Sequence, residues 1–178
     1  MDFNNILKRY SYADDKEIIE RIKNCTGKDE RENRDIINSI VLWKINRQVD
    51  IGTELFIAIK SLNIAPSIIK RKEKEIKKIV FDLLEIKGVK IAMASTILKM
   101  FYPDSFPIID QRAYRELNGE DLPDYYGATA NRKYADLYFQ YILDCHKYNQ
   151  SVCPNINFDD IDKVLYQLDL EKGNKVKY

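Results

Sequence analysis

Between Leu83 and Leu98 two helical apolar runs meet across a single glycine, Gly88, and this junction constrains the fold more than any other stretch. Leu83, Leu84, Ile86, Ile91, Ala94, Ile97 and Leu98 recur at the three-to-four spacing of a helix face. A glycine set between two such runs stops the first helix and turns the chain, because only a residue without Cβ enters the left-handed region at little cost. The second run opens on small residues, Ala92, Ala94 and Ser95, which let two helix backbones approach closely. The expectation is a helix-hairpin-helix over about residues 76–101. Its second helix leaves its first amides without helical acceptors. Together with the helix dipole they make an anion site that suits a DNA phosphate. Lys87 and Lys90 flank the turn and add charge. Contacts of this kind position a nucleic-acid backbone and read no sequence.

Helical spacing extends along nearly the whole chain. Residues 34–47 place Ile36, Ile37, Ile40, Val41 and Ile45 on one face, and 53–62 read as a short helix through Leu55, Phe56, Ile59 and Leu62. A long basic helix is expected from Pro66 to about Lys87, followed by a helix over Ile91 to Phe101. The prolines at 103 and 107 require a loop before a short helix that starts after Asp110. Beyond a connection over 118–129, a helix from about Ala130 to Tyr148 turns Tyr134, Leu137, Tyr138, Tyr141, Ile142 and Cys145 to the core. A last helix, N-capped by Asn157 or Asp159, buries Ile161, Val164, Leu165 and Leu168. No alternating strand and no internal repeat is legible. The fold class is all-α. The 178 residues suit one domain of two small lobes, with the N- and C-terminal helices forming the second lobe.

The formal charge of +1 hides an asymmetry. Residues 70–99 carry nine lysines and arginines against four acids, so the basic excess is concentrated there. A local positive field attracts phosphates even where the overall charge nearly cancels. Within that run Glu73 and Glu75 alternate with Lys70–Lys78, the pattern of i,i+4 pairs on an exposed helix. Three cysteines at wide spacing, Cys25, Cys145 and Cys153, argue against a disulfide framework and against a metal site. No apolar run reaches the roughly 20 residues of a membrane span, and MDFNNILKRY lacks the pattern of a secretory signal. A cytoplasmic monomer without membrane attachment is expected.

Downstream of the hairpin the chain reads Phe106-Pro107-Ile108-Ile109-Asp110-Gln111-Arg112-Ala113-Tyr114-Arg115. Leu83, Ile86, Gly88, Val89 and Ala94, followed by this proline–aliphatic–aspartate segment and its arginine, resemble the helix-hairpin-helix superfamily of base-excision DNA glycosylases. The resemblance implies a two-lobed helical fold, double-stranded DNA as partner, and a nucleotide flipped into a cleft between the lobes. It implies that Asp110 faces the sugar and stabilises the charge that develops as the N-glycosidic bond breaks. Lys87, Gly88, Val89, Lys90, Ala92 and Arg112 would then contact DNA, and Trp43 and Lys44 would border the base. The chain departs from the family at two positions. Ala92 stands where bifunctional members carry a Schiff-base lysine, so lyase chemistry by that route is not expected. Lys90 replaces the second glycine of the hairpin and must accept a geometry that glycine usually supplies. No iron–sulfur cluster or other cofactor is implied, and the hairpin carbonyls leave room for a monovalent cation.

Each of these residues has a plainer reading. Asp110 precedes a helix and can be simply its N-cap, although one carboxylate oxygen can cap while the other faces a cleft. Arg115 suits a solvated face. Trp43 suits core packing as well as base stacking, and Lys44 beside it can point into the same cleft. Tyr134, Tyr138 and Tyr141 lie at core spacing, and Tyr125 and Tyr126 flank a loop glycine. The readings in play are a monofunctional glycosylase, a non-catalytic helix-hairpin-helix DNA-binding module, and a helical protein-interaction domain.

Overall fold

The computed structural model describes residues 16–44 and 49–176. They form eight α-helices and two short 3-10 helices, with no strand among the described residues. The chain divides after Asp50 into two compact units. The N-terminal decapeptide MDFNNILKRY and Ile45 lie outside the described residues.

The first unit contains α1, Lys16–Asn24, and α2, Glu30–Lys44, packed on each other. Asp29 starts α2 by accepting the amides of Arg31 and Glu32 at 2.8 and 3.2 Å. Ile18 and Ile36 are buried, but Ile37 and Val41 are more than half exposed. The stripe read from the sequence is therefore only partly a core. Two helices bury only the line along which they meet.

The second unit contains α3 (Thr53–Lys60), a 3-10 turn (Pro66–Lys72), α4 (Glu73–Leu84), α5 (Ile91–Phe101), α6 (Gln111–Asn118), α7 (Ala130–Val152), a 3-10 turn (Phe158–Asp160) and α8 (Ile161–Glu171). Helix α4 packs along α7, and α6 packs against α8. Ile76, Val80, Leu83, Leu98, Phe106, Ile109, Tyr138, Ile142 and Leu165 are buried between them. Each such side chain contributes about 1.5–3 kcal/mol on burial.

Three expectations change here. The helix expected to run unbroken from Pro66 to Lys87 is a 3-10 turn followed by α4, which ends at Leu84. The break falls at Lys72, whose ammonium reaches back to the Leu62 carbonyl at 2.7 Å. Neither Asn157 nor Asp159 caps the last helix with its side chain: Asn157 precedes the 3-10 turn, and Asp160 precedes α8. The C-terminal helices belong to the same compact unit as the hairpin, rather than being grouped with the N-terminal ones.

Candidate functional site

Helices α4 and α5 pack on each other as a helical hairpin, joined by a tight turn in which the Val89 amide donates to the Ile86 carbonyl at 3.0 Å. Gly88 sits at φ +88°, the left-handed conformation that the sequence assigned to it. Lys90 does not share this requirement. Its φ of −104° and ψ of 174° are extended, a geometry open to any residue, so a lysine sits here without backbone strain. Lys90 is the N-cap of α5 and makes no side-chain cap. The first helical bond runs from the Ala94 amide to the Lys90 carbonyl, at 2.9 Å, leaving the amides of Ile91, Ala92 and Met93 ahead of it. Lys87, Gly88, Lys90 and Ala92 are exposed, whereas the Val89 side chain is buried and anchors the turn.

From the hairpin the chain enters an extended segment, Pro107–Ile109, whose backbone is held by side chains on three helices. Ser95 of α5 accepts the Ile109 amide at 3.1 Å, and Asp162 of α8 accepts the Ile108 amide at 2.9 Å. Tyr138 and Tyr141 of α7 donate to the Pro107 and Ile108 carbonyls at 2.8 and 3.2 Å. Burial pushes both tyrosine hydroxyls well up, so they stay protonated and keep donating. A buried extended strand without a sheet partner would orphan these backbone groups, and here four side chains satisfy them.

Asp162 is itself held. Lys99, buried on α5, forms an ion pair with its Oδ1 and donates to the Asp159 carbonyl. Hydrophobic spacing does not reveal this pair. Lys99 reads as one more member of a basic run, and its partner lies 63 residues away.

Asp110 follows the pinned segment. Its Oδ1 accepts the Ala113 amide at 2.8 Å, so it is the N-cap of α6. Among the described residues its other oxygen has no hydrogen-bond donor, and the residue is half-buried. Capping therefore occupies one oxygen and leaves one open.

Arg112 and Arg115 are both displaced from the positions read in the sequence. Arg112, assigned to DNA, turns onto the fully buried Asp169 at 3.1 Å and onto the Asn174 carbonyl at 2.9 Å. Arg115, assigned to solvent, grips the same carboxylate with two bonds of 2.8 Å. These hydrogen bonds, Arg115 foremost, hold the Asp169 carboxyl down at about 2. The two arginines thus bolt α6 to α8.

Trp43 is half-buried and Lys44 exposed at the end of α2, in the first unit. The basic run divides. Lys72, Lys77 and Lys78 are ion-paired with Glu75, with Glu73 and Asp136, and with Asp82, whereas Lys70, Arg71 and Lys74 pair with none of the described residues. Tyr138 and Tyr141 are core, as their spacing required. Cys145 is buried beside them, and burial pushes its thiol up. No helix among the described residues is long and apolar enough to cross a membrane.

Surface cavities of about 260 to 720 Å³ line the second unit. Most of their walls come from α7. Comparison with protein-family models, characterised proteins and solved structures yields no match for this chain.

Proposed function

We propose that this chain grips the backbone of duplex DNA through the α4–α5 hairpin and acts on it as a monofunctional glycosylase, with Asp110 as the reacting carboxylate. One observation carries the reading. Ser95, on the second helix of the hairpin, holds the amide adjacent to Asp110, so the phosphate grip and the open carboxylate oxygen belong to one hydrogen-bonded assembly. A phosphate seated on the first amides of α5, between Lys87 and Lys90, would position the duplex. An anionic Asp110 oxygen set beside a flipped nucleotide would stabilise the oxocarbenium-like sugar as the base departs. Ala92 provides no amine to form a covalent adduct, so the product would be an intact abasic strand.

The direct test incubates the purified chain with duplexes bearing uracil, 8-oxoguanine, an alkylated purine or an A·G mismatch, then treats them with hot alkali. Strand breaks at one of these bases are expected, slowed about 100-fold or more in Asp110→Asn. Undiminished cleavage in that variant, or no cleavage of any substrate, would remove the enzymatic reading.

A non-catalytic DNA-binding module is the second reading, favoured by the N-cap bond that Asp110 already makes to the Ala113 amide. Both readings require salt-sensitive DNA binding. Log affinity is expected to fall linearly with log salt, and the Lys87→Ala/Lys90→Ala double variant should flatten that slope by about 1–2. Absence of DNA affinity even at low salt sinks both and leaves a protein-interaction domain.

A further inference from the structure

We propose that the cavity between the Pro66–Lys72 turn and α7 binds a phosphomonoester of a hydroxylated small molecule, a sugar phosphate or a nucleoside monophosphate. At about 720 Å³ it has the size of a small-molecule cleft. It is remote in composition from the hairpin and from Asp110, and the inference is independent of the DNA reading.

The walls combine two kinds of group. Lys70 from the turn and Lys147 from α7 are exposed and line the cavity, and neither forms an ion pair with a described residue. Lys72, Lys77 and Lys78 of the same run are ion-paired, whereas Lys70, like Arg71 and Lys74 beside it, keeps its charge unneutralised among the described residues. Two ammonium groups at one cleft suit a phosphate dianion.

Besides Ser67 and Gln150, the other polar groups on the walls include acceptors. His146 stacks flat on Phe158, with ring centroids 3.6 Å apart, and its Nε2 lies 3.2 Å from the Ser105 carbonyl. A carbonyl at Nε2 places the hydrogen there, which leaves Nδ1 as a lone pair. Burial lowers the imidazole pKa and keeps the ring neutral at neutral pH. Gln140 donates its amide hydrogen to Asp144 at 3.0 Å, leaving its carbonyl and the second Asp144 oxygen open to a ligand. Acceptors of this kind repel phosphate oxygens and take hydroxyl or N–H hydrogens. Asp144 thus disfavours a bare polyanion and fits a ligand whose other end carries hydroxyls.

His146 is the only histidine, so its ring resonances in a proton–carbon NMR spectrum are a single unambiguous reporter at the cavity. The probes are adenosine 5′-monophosphate and ribose 5-phosphate, with adenosine and inorganic phosphate as the separate halves, all near neutral pH. A saturable ring shift is expected with at least one phosphorylated probe, at least about tenfold weaker with either half. Lys70→Ala and Lys147→Ala should each weaken it about tenfold, a loss of one charge-assisted contact. The Lys87→Ala/Lys90→Ala variant, which blunts DNA binding, should leave it unchanged, so the two readings fail separately. No saturable shift with either phosphorylated probe up to about 10 mM overturns the proposal. So does equal binding of either half, or unaltered binding in a Lys70→Ala/Lys147→Ala double variant that keeps its folded spectrum.

Discussion

Asp162→Ala is expected to lower the stability of the second unit by about 3–5 kcal/mol, the cost of leaving a buried charge without its partner. Lys99 would remain in the core with only the Asp159 carbonyl to hold it, and the Ile108 amide would lose its acceptor. The melting temperature should fall by about 6–20 °C, since 1 kcal/mol corresponds to about 2–4 °C in a chain of this size. Asp162→Asn separates the two contributions. Its amide oxygen can still accept from Ile108, so it should be less damaging than alanine while still failing to neutralise Lys99. Thermal denaturation of the two variants decides this, and equal losses would mean that the Ile108 bond contributes nothing. The variants also bear on function. Asp162 and Ser95 together define where Ile108 and Ile109 lie, and Asp110 begins where they end. If Asp110 reacts as proposed, Asp162→Asn should lower activity at temperatures where the protein is still folded.

Asp169→Ala is the second large effect, also about 3–5 kcal/mol, because it leaves Arg112 and Arg115 partly buried around an empty position. The acid limb of stability carries the same interaction. Asp169 has its folded pKa depressed to about 2, below the ordinary carboxylate value. A depressed carboxylate stabilises the fold fully above its unfolded pKa. That contribution is lost as the pH falls from about 4 towards 2, where the folded carboxylate takes up its proton. Wild type should therefore lose more melting temperature over this window than Asp169→Asn, which has no proton to take up. Parallel acid limbs in the two proteins would show that the arginine clamp contributes little.

These two sites also show where local reading ends. The spacing of Ile76, Val80, Leu83 and Leu98 is a property of neighbouring residues, and it correctly announces α4 and α5 and their buried faces. Gly88 is legible for the same reason, since a left-handed turn between two helices needs a residue without Cβ. Asp110 as an N-cap and Tyr138 and Tyr141 as core follow from the same short-range rules. Charged residues behave differently. Lys99, Arg112 and Arg115 look like surface cations in any local window, yet each is drawn inward by an aspartate 54 to 63 residues away. No periodicity encodes a partner at that distance.

The chain by itself therefore determined an all-helical protein, the hairpin turn at Gly88 and the capping role of Asp110, because each depends on backbone preference and side-chain spacing within a few residues. Only the tertiary structure decided which charges are buried and paired, which lysines remain open at the α7 cavity, and how Pro107–Ile109 is held. Those outcomes depend on which helices meet, and desolvation then makes a partner obligatory for every charge enclosed between them.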